Sequence, residues 1–363
     1  MPSRLQFRKR ILIVCLIVLA GFAAGAPARA FHQQGVGNCN GCHIMHASED
    51  GQIIWVTDGP LLLAPTASDV CLICHGGADG VMGPNPLGPP PERGAGNFTF
   101  QLEDNVNDAP DGLTNPVGGH ASGHSVIAPT FGLVRDPDRL YSPGGNFPSD
   151  RLECTSCHDP HGNRNFRMLH GAGPIQGGEF TFFYPAPEAV GVDCCSPTSR
   201  EAVDNHTAYR SGMSRWCANC HGNYLLEDGH VDFEHPTDDF LESGEINQYN
   251  RYAGASSPGG GTAASSYIPE VAFEDPAMTV GNTAGPLSTS RIMCLTCHRA
   301  HGSSAREGGR WDFYVNDISQ DGLVSGSYPL PSPYSGGNQS QLCRKCHNQN
   351  HGHGQACVAC HAN

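Results

Sequence analysis

The sequence predicts a mostly irregular fold of loops, turns and short helices, with little strand. Three observations carry that expectation. Glycine and proline, at 46 and 28 residues, make up about a fifth of the 363 positions, well above ordinary usage. Stretches such as 76–96 and 254–266 have neither helical nor strand periodicity. One five-residue pattern, Cys-x-x-Cys-His, occurs seven times.

Taken in order, the chain opens with an export signal. Arg4, Arg8, Lys9 and Arg10 form a basic segment, and Ile11 to Ala24 an apolar one too short to span a bilayer. Ala28-Arg29-Ala30 is a small-residue cleavage site, so residues 1–30 are expected to leave and the mature chain to start at Phe31. Cys15 would leave with them. No later apolar run is long enough for a membrane span.

The mature chain holds 16 basic and 35 acidic residues, a balance of −19. That disfavours nucleic acid and anionic lipid surfaces as partners. Lys345 is the only lysine left after cleavage, which excludes a lysine-rich docking patch and leaves it a local packing role or none.

The seven copies of the pattern carry the chemistry. They are Cys39-Cys42-His43, Cys71-Cys74-His75, Cys154-Cys157-His158, Cys217-Cys220-His221, Cys294-Cys297-His298, Cys343-Cys346-His347 and Cys357-Cys360-His361. A lone pair of cysteines at this spacing could be a zinc knuckle or a redox dithiol. Neither explains a histidine after the second cysteine every time. The pattern is the attachment signal of c-type haem: two thiols bond to the haem edge and the histidine becomes an axial iron ligand. Seven covalently bound haems c are therefore expected, with seven proximal histidines. Such flat apolar bodies can form a core that this composition lacks. The fold is then a polypeptide wrapped around a continuous chain of haems, one domain over 31–363. Cys194 and Cys195 stand outside the motifs, and a vicinal disulfide, free thiols or a bond to another chain all remain open for them.

Each iron needs a second ligand, and 19 histidines less seven leave twelve. Seven haems can all be bis-histidine, with five rings to spare. A saturated iron passes electrons and binds no substrate, whereas a reductase must keep one iron open. His46, His161 and His301 each follow a motif histidine by three residues, in CHIMH, CHDPH and CHRAH. That offset cannot serve the same haem, whose proximal side is filled, but it can serve a neighbouring one. His32 lies at the mature N-terminus, and His124 and His235 sit in short rigid contexts, Gly-His-Ser-Val and Glu-His-Pro-Thr. His351 and His353 lie between motifs six and seven, and one of them is expected to ligate haem six or seven. His120, His170, His206 and His230 fit surface or supporting roles better.

The segments FHQQGVGNCNGCHIMH, GPLLL, CTSCHDPHG, SGMSRWCANCH, CLTCHRAH and QLCRKCH closely resemble, in order, the OmcS family of outer-surface hexahaem cytochromes. The likeness runs from Phe31 to about His347 and includes residues flanking the motifs. It implies an extracellular electron-transfer protein that polymerises into filaments, with redox partner cytochromes and extracellular acceptors. It also implies that His161 serves haem one and His301 haem three. His46 would cross to the neighbouring subunit and serve haem five. His32, His124 and His235 would serve haems two, four and six, in an order left open. The seventh motif lies beyond the family pattern. Two other functions fit the motifs alone, a monomeric periplasmic carrier and a multihaem reductase. The reductase is disfavoured, because no motif replaces its histidine by lysine and distal histidines are in surplus. Mass spectrometry of the secreted protein should find residues 31–363 plus seven haems. A product with six, bare at Cys357 and Cys360, would show that the last motif is not loaded.

Overall fold

The computed structural model describes residues 39–44, 48–49, 52–53, 61–77, 80–82, 95–102, 107–108, 113–114, 119–175, 178–192, 203–225, 237–254, 259–303, 305–311 and 342–347. The export signal with Cys15, His32, His46, Cys194, Cys195, His230, His235, His351, His353 and motif seven (Cys357, Cys360, His361) lie outside them.

Among the described residues the fold is mostly irregular, as composition predicts. α-Helix is confined to five short segments, α1 (Ala67–His75), α2 (Cys154–Cys157), α3 (Met213–Ala218), α4 (Ser243–Arg251) and α5 (Ala263–Ser266), with short 3-10 turns between them. Strand is limited to isolated antiparallel pairs, of which the two longest are β1 (Gly173–Ile175) with β2 (Phe180–Phe182) and β3 (Glu188–Val190) with β4 (Ala208–Ser211). None of these helices is long and apolar enough to cross a membrane.

The apolar core is divided. Leu72, Met82, Phe98, Val126, Ala128 and Leu133 form one cluster. Tyr249, Tyr267, Ile268, Val271, Phe273, Met278 and Trp311 form another. Smaller groups surround Met213, Met293 and Leu295, and Phe147, Ile175 and Phe182. A globular domain usually has one contiguous core. Four separate ones among the described residues suit a chain organised around something other than its own side chains.

Short helices need their ends satisfied from outside. The Thr66 hydroxyl caps α1 by accepting from the Asp69 amide at 3.1 Å. Glu153, distant in sequence, accepts from the Ala67 and Ser68 amides at 2.9 and 3.3 Å. Helix α3 starts after Gly212, whose φ of 83° and missing side chain give no cap. Glu274 supplies one, accepting from the Met213 amide at 2.5 Å. Gly96 shows what close packing demands elsewhere: at φ +80°, an added Cβ would lie 2.0 Å from the Gly302 carbonyl oxygen.

Glu274 is 1% exposed, and its second carboxyl oxygen has no hydrogen-bond partner. Burial pushes its pKa up from 4.5 to about 7, Asp238 adds to the rise, and the Met213 amide and Arg291 oppose it. The folded protein thus holds this proton more tightly than the unfolded chain. The resulting stabilisation is complete below pH 4.5 and is lost as pH rises through about 7. Glu274→Gln should match the parent in denaturation midpoint near pH 4 and exceed it at pH 8. A variant weaker than the parent at pH 8 would mean that the ionised carboxylate is net stabilising.

Candidate functional site

The motif owes its spacing to one helical turn. In four described copies the histidine amide donates to the carbonyl of the first cysteine: His43 to Cys39 at 2.8 Å, His158 to Cys154 at 2.9 Å, His221 to Cys217 at 3.0 Å and His298 to Cys294 at 3.1 Å. Residues three and four apart share a helix face. A single turn therefore presents two thiols and one imidazole on the same side, as haem attachment requires. Motif two reaches the same arrangement inside α1, and motifs one, five and six use 3-10 turns at Cys39–Gly41, Cys294–Thr296 and Leu342–Lys345.

The imidazoles are oriented from behind. Nδ1 of His43 lies 3.1 Å from the Leu61 carbonyl, and that of His158 2.8 Å from Arg167. Nδ1 of His221 lies 2.7 Å from the Pro143 carbonyl and that of His298 2.8 Å from Glu307. A ring that donates from Nδ1 keeps Nε2 as a lone-pair donor aimed the other way, the usual second-shell device for a metal-binding histidine. Arg167 and Glu307 hold φ of 50° and 57°, left-handed backbone uncommon for such side chains. Both use it to turn a carbonyl onto a motif histidine.

Motifs three and five are built alike. Cys154 donates its amide to the Ser68 hydroxyl at 3.0 Å, and Cys294 to that of Ser214 at 3.2 Å. Ser68 and Ser214 each stand three residues before the first cysteine of the preceding motif. The Cys71 and Cys154 thiols touch, as do those of Cys217 and Cys294. Motifs two and three thus form one docked pair, and motifs four and five a second on the same plan.

Second imidazoles face three of the motif rings. The His43 and His161 ring centres are 6.4 Å apart with planes at 7°. His158 and His301 are also 6.4 Å apart, at 61°, and His124 and His221 are 5.8 Å apart, at 55°. Two metal–nitrogen bonds of about 2 Å, plus about 1 Å from each nitrogen to its ring centre, put axial imidazoles roughly 6 Å apart. The residues therefore fit an iron between each pair. His124 Nδ1 is 2.6 Å from the Ala300 carbonyl, so this ring too is fixed from behind. His301 stacks on Phe98 at 4.6 Å.

The electrostatics agree with ligand chemistry, which needs neutral imidazole. Burial pushes His221 down to about 4, with His124 adding to the fall, and His301 down to about 3, with His158 and His124 adding. Burial also lowers His124 and His158. Burial pushes the Cys157 and Cys346 thiols up to about 12, whereas hydrogen bonds from Cys71 and Cys217 pull Cys154 and Cys294 down.

Three of the weaker histidines are engaged elsewhere. His170 Nε2 lies 2.9 Å from the Thr155 carbonyl, and His120 Nε2 2.7 Å from Asp138. His206 is buried between the Asn282 carbonyl at 2.8 Å and the Tyr267 hydroxyl at 2.7 Å. Sequence reasoning missed Ser68, Ser214, Glu153 and Glu274. A serine three residues before a motif was a signal available for the first two.

Comparison with known proteins gives the site its context. Residues 147–175, around motif three, match the family model of a doubled CXXCH motif. The chain is 28% identical to the C-type cytochrome OmcS of Geobacter sulfurreducens, over 94% of this chain and 99% of that one. Two solved structures are similar, each over 88% of this chain and all of the other. The outer membrane cytochrome S filament of Geobacter sulfurreducens gives a TM-score of 0.68 at 23% identity, and the OmcS nanowires of the same organism give 0.69 at 25%. Over nearly its whole length, then, this chain resembles a multihaem c-type cytochrome in its haem-attachment motifs and in its helix-poor fold.

Proposed function

We propose that the chain is a heptahaem c-type cytochrome that carries electrons outside the cell and polymerises head-to-tail into a conducting filament. The observation that most supports this is the pairing of three motif imidazoles with second imidazoles at iron-spanning separation. In this reading residues 1–30 direct export through the periplasm, and 31–363 form one domain. The cysteines of all seven motifs anchor the haems, and His43, His75, His158, His221, His298, His347 and His361 are the proximal ligands.

The distal assignments follow the ring pairs where these are described. His161 serves haem one, His301 haem three and His124 haem four. His46 of a neighbouring copy serves haem five. His32 and His235 remain for haems two and six, and His351 or His353 closes haem seven. Each haem, when bound, supplies a one-electron iron couple. The protein's part is to hold both axial positions shut, so that electrons pass and substrates do not bind. Likeness to a filament-forming relative supports the polymer, since a head-to-tail contact that does not close by rotation gives an open fibre. Its expected partners are further copies of itself, donor cytochromes and extracellular acceptors. An enzymatic role is not part of the reading.

Two variants test it. His124→Ala should leave one iron high-spin and able to bind carbon monoxide on reduction, while His170→Ala stays fully low-spin. His46→Ala should fold, load its haems and bind carbon monoxide at one iron, yet show no filaments in negative-stain images. Normal filaments from His46→Ala would overturn the shared ligand. A wild-type oxidised spectrum with a high-spin fraction would favour a reductase.

A further inference from the structure

The two docked motif pairs, two with three and four with five, need a joint between them, and the segment after motif three supplies it. His170 opens that segment. Its amide donates to the Cys157 carbonyl and its Nε2 to the Thr155 carbonyl, both at 2.9 Å. Those carbonyls belong to α2, a single turn that leaves its acceptors open. His170 thus grips the motif-three turn twice. Its own carbonyl accepts from the Trp216 indole N–H at 2.8 Å. Trp216 lies in α3, directly before Cys217. An indole N–H only donates, so this bond has one sense.

The same segment then returns to motif four. After the hairpin of β1 and β2, the Phe183 and Tyr184 amides donate to the Asn219 side-chain oxygen at 2.8 and 2.9 Å. Asn219 stands between Cys217 and Cys220, and its side-chain NH2 donates to the Trp216 carbonyl at 3.0 Å. Buried Phe182 fills the angle between the two clasps. Its ring meets Trp216 edge-on at 5.8 Å and His170 at 6.2 Å. Phe147 and Ile175 complete that cluster.

The far ends of the ring pairs are joined as well. The His124 amide donates to the His301 carbonyl at 2.9 Å, and its Nδ1 faces the Ala300 carbonyl. His301 faces His158 of motif three, and His124 faces His221 of motif four. Motifs three and four are therefore tied on the attachment side by His170, Trp216 and Asn219, and on the far side by His124 and His301.

We infer that His170, Trp216 and Asn219 are positioning residues for electron passage: they hold haem three against haem four and so set the crossing from one docked pair to the other. They act through the attachment turns and not as iron ligands. Electron transfer between two haems falls steeply with separation, so bonds that fix two attachment turns fix a rate. The inference rests on the proposed loading of motifs three and four.

The test uses the secreted protein, after peptide mass spectrometry has established haem on Cys154, Cys157, Cys217 and Cys220. Bare cysteines there in the wild type would overturn the functional reading, and this inference with it. With haem present, only the inference is at stake. Soret circular dichroism reads how neighbouring haems are oriented to one another. Trp216→Phe keeps a ring against Phe182 and deletes the N–H. It should load its haems, stay low-spin, lose part of the Soret couplet and slow the redistribution of a flash-injected electron several-fold. Phe147→Leu thins the same cluster and keeps the bond, so its couplet and rate should match the parent. A parental couplet and rate in Trp216→Phe, or the same loss in Phe147→Leu, would show that the joint does not set the crossing. Should Trp216→Phe fail to load its haems, Asn219→Ala still decides. It opens the second clasp and keeps the indole, and a parental couplet and rate there overturns the inference.

Discussion

The hydrogen bond from a histidine Nδ1 to a backbone carbonyl is the interaction on which the candidate centres depend. One helical turn suffices to place two cysteines and a histidine together, and many sequences could form such a turn. What the turn does not fix is the rotation of the ring. That comes from Leu61, Pro143, Arg167 and Glu307, whose carbonyls lie nine to 78 residues from their histidines in sequence. The irregular chain is therefore not filler. Its backbone polar groups, which regular helices and sheets would have consumed, are spent on aiming ligands. Low secondary-structure content and the fixing of the motif rings are two sides of one allocation.

The divided core follows from the same arrangement. Small apolar clusters such as those around Phe98 and Tyr249 give local rigidity, and among the described residues they stay separate. Cohesion between them comes from docked motif pairs, in which Ser68 and Ser214 receive amides from a motif far along the chain. Buried carboxylates at helix starts, Glu153 and Glu274, tie the same pairs at the cost of raised pKa values. Polar contacts rather than a continuous oily centre set how neighbouring attachment turns sit against each other.

Spacing made part of this legible in advance. Cysteine spacing pointed to the motif turns, and the offset of three pointed to His161 and His301, whose rings the fold brings 6.4 Å from those of His43 and His158; both are local patterns. Composition was enough to expect few strands, since glycine and proline disfavour long regular elements. The partner of His124 was not legible: it lies 97 residues from His221 with no repeating signature, and only the fold brings the two rings to 5.8 Å. The roles of Arg167 and Glu307 were hidden for a different reason. Their contribution is a carbonyl direction set by left-handed backbone, and neither side chain advertises it. Lys345 looked unremarkable in sequence because the Tyr249 and Tyr252 carbonyls that accept from its buried Nζ lie far away in the chain.

The ring pairs also order events in time. A chain exported N-terminus first exposes His43 118 residues before His161, and His158 143 residues before His301. In the proposed pairing the first and third irons are half-dressed during secretion and close only when later chain arrives. His124, by contrast, precedes His221 and is already waiting when the fourth haem is attached. Maturation then runs as a relay in which downstream segments finish upstream centres, and a chain truncated after its third motif would leave an open iron behind it.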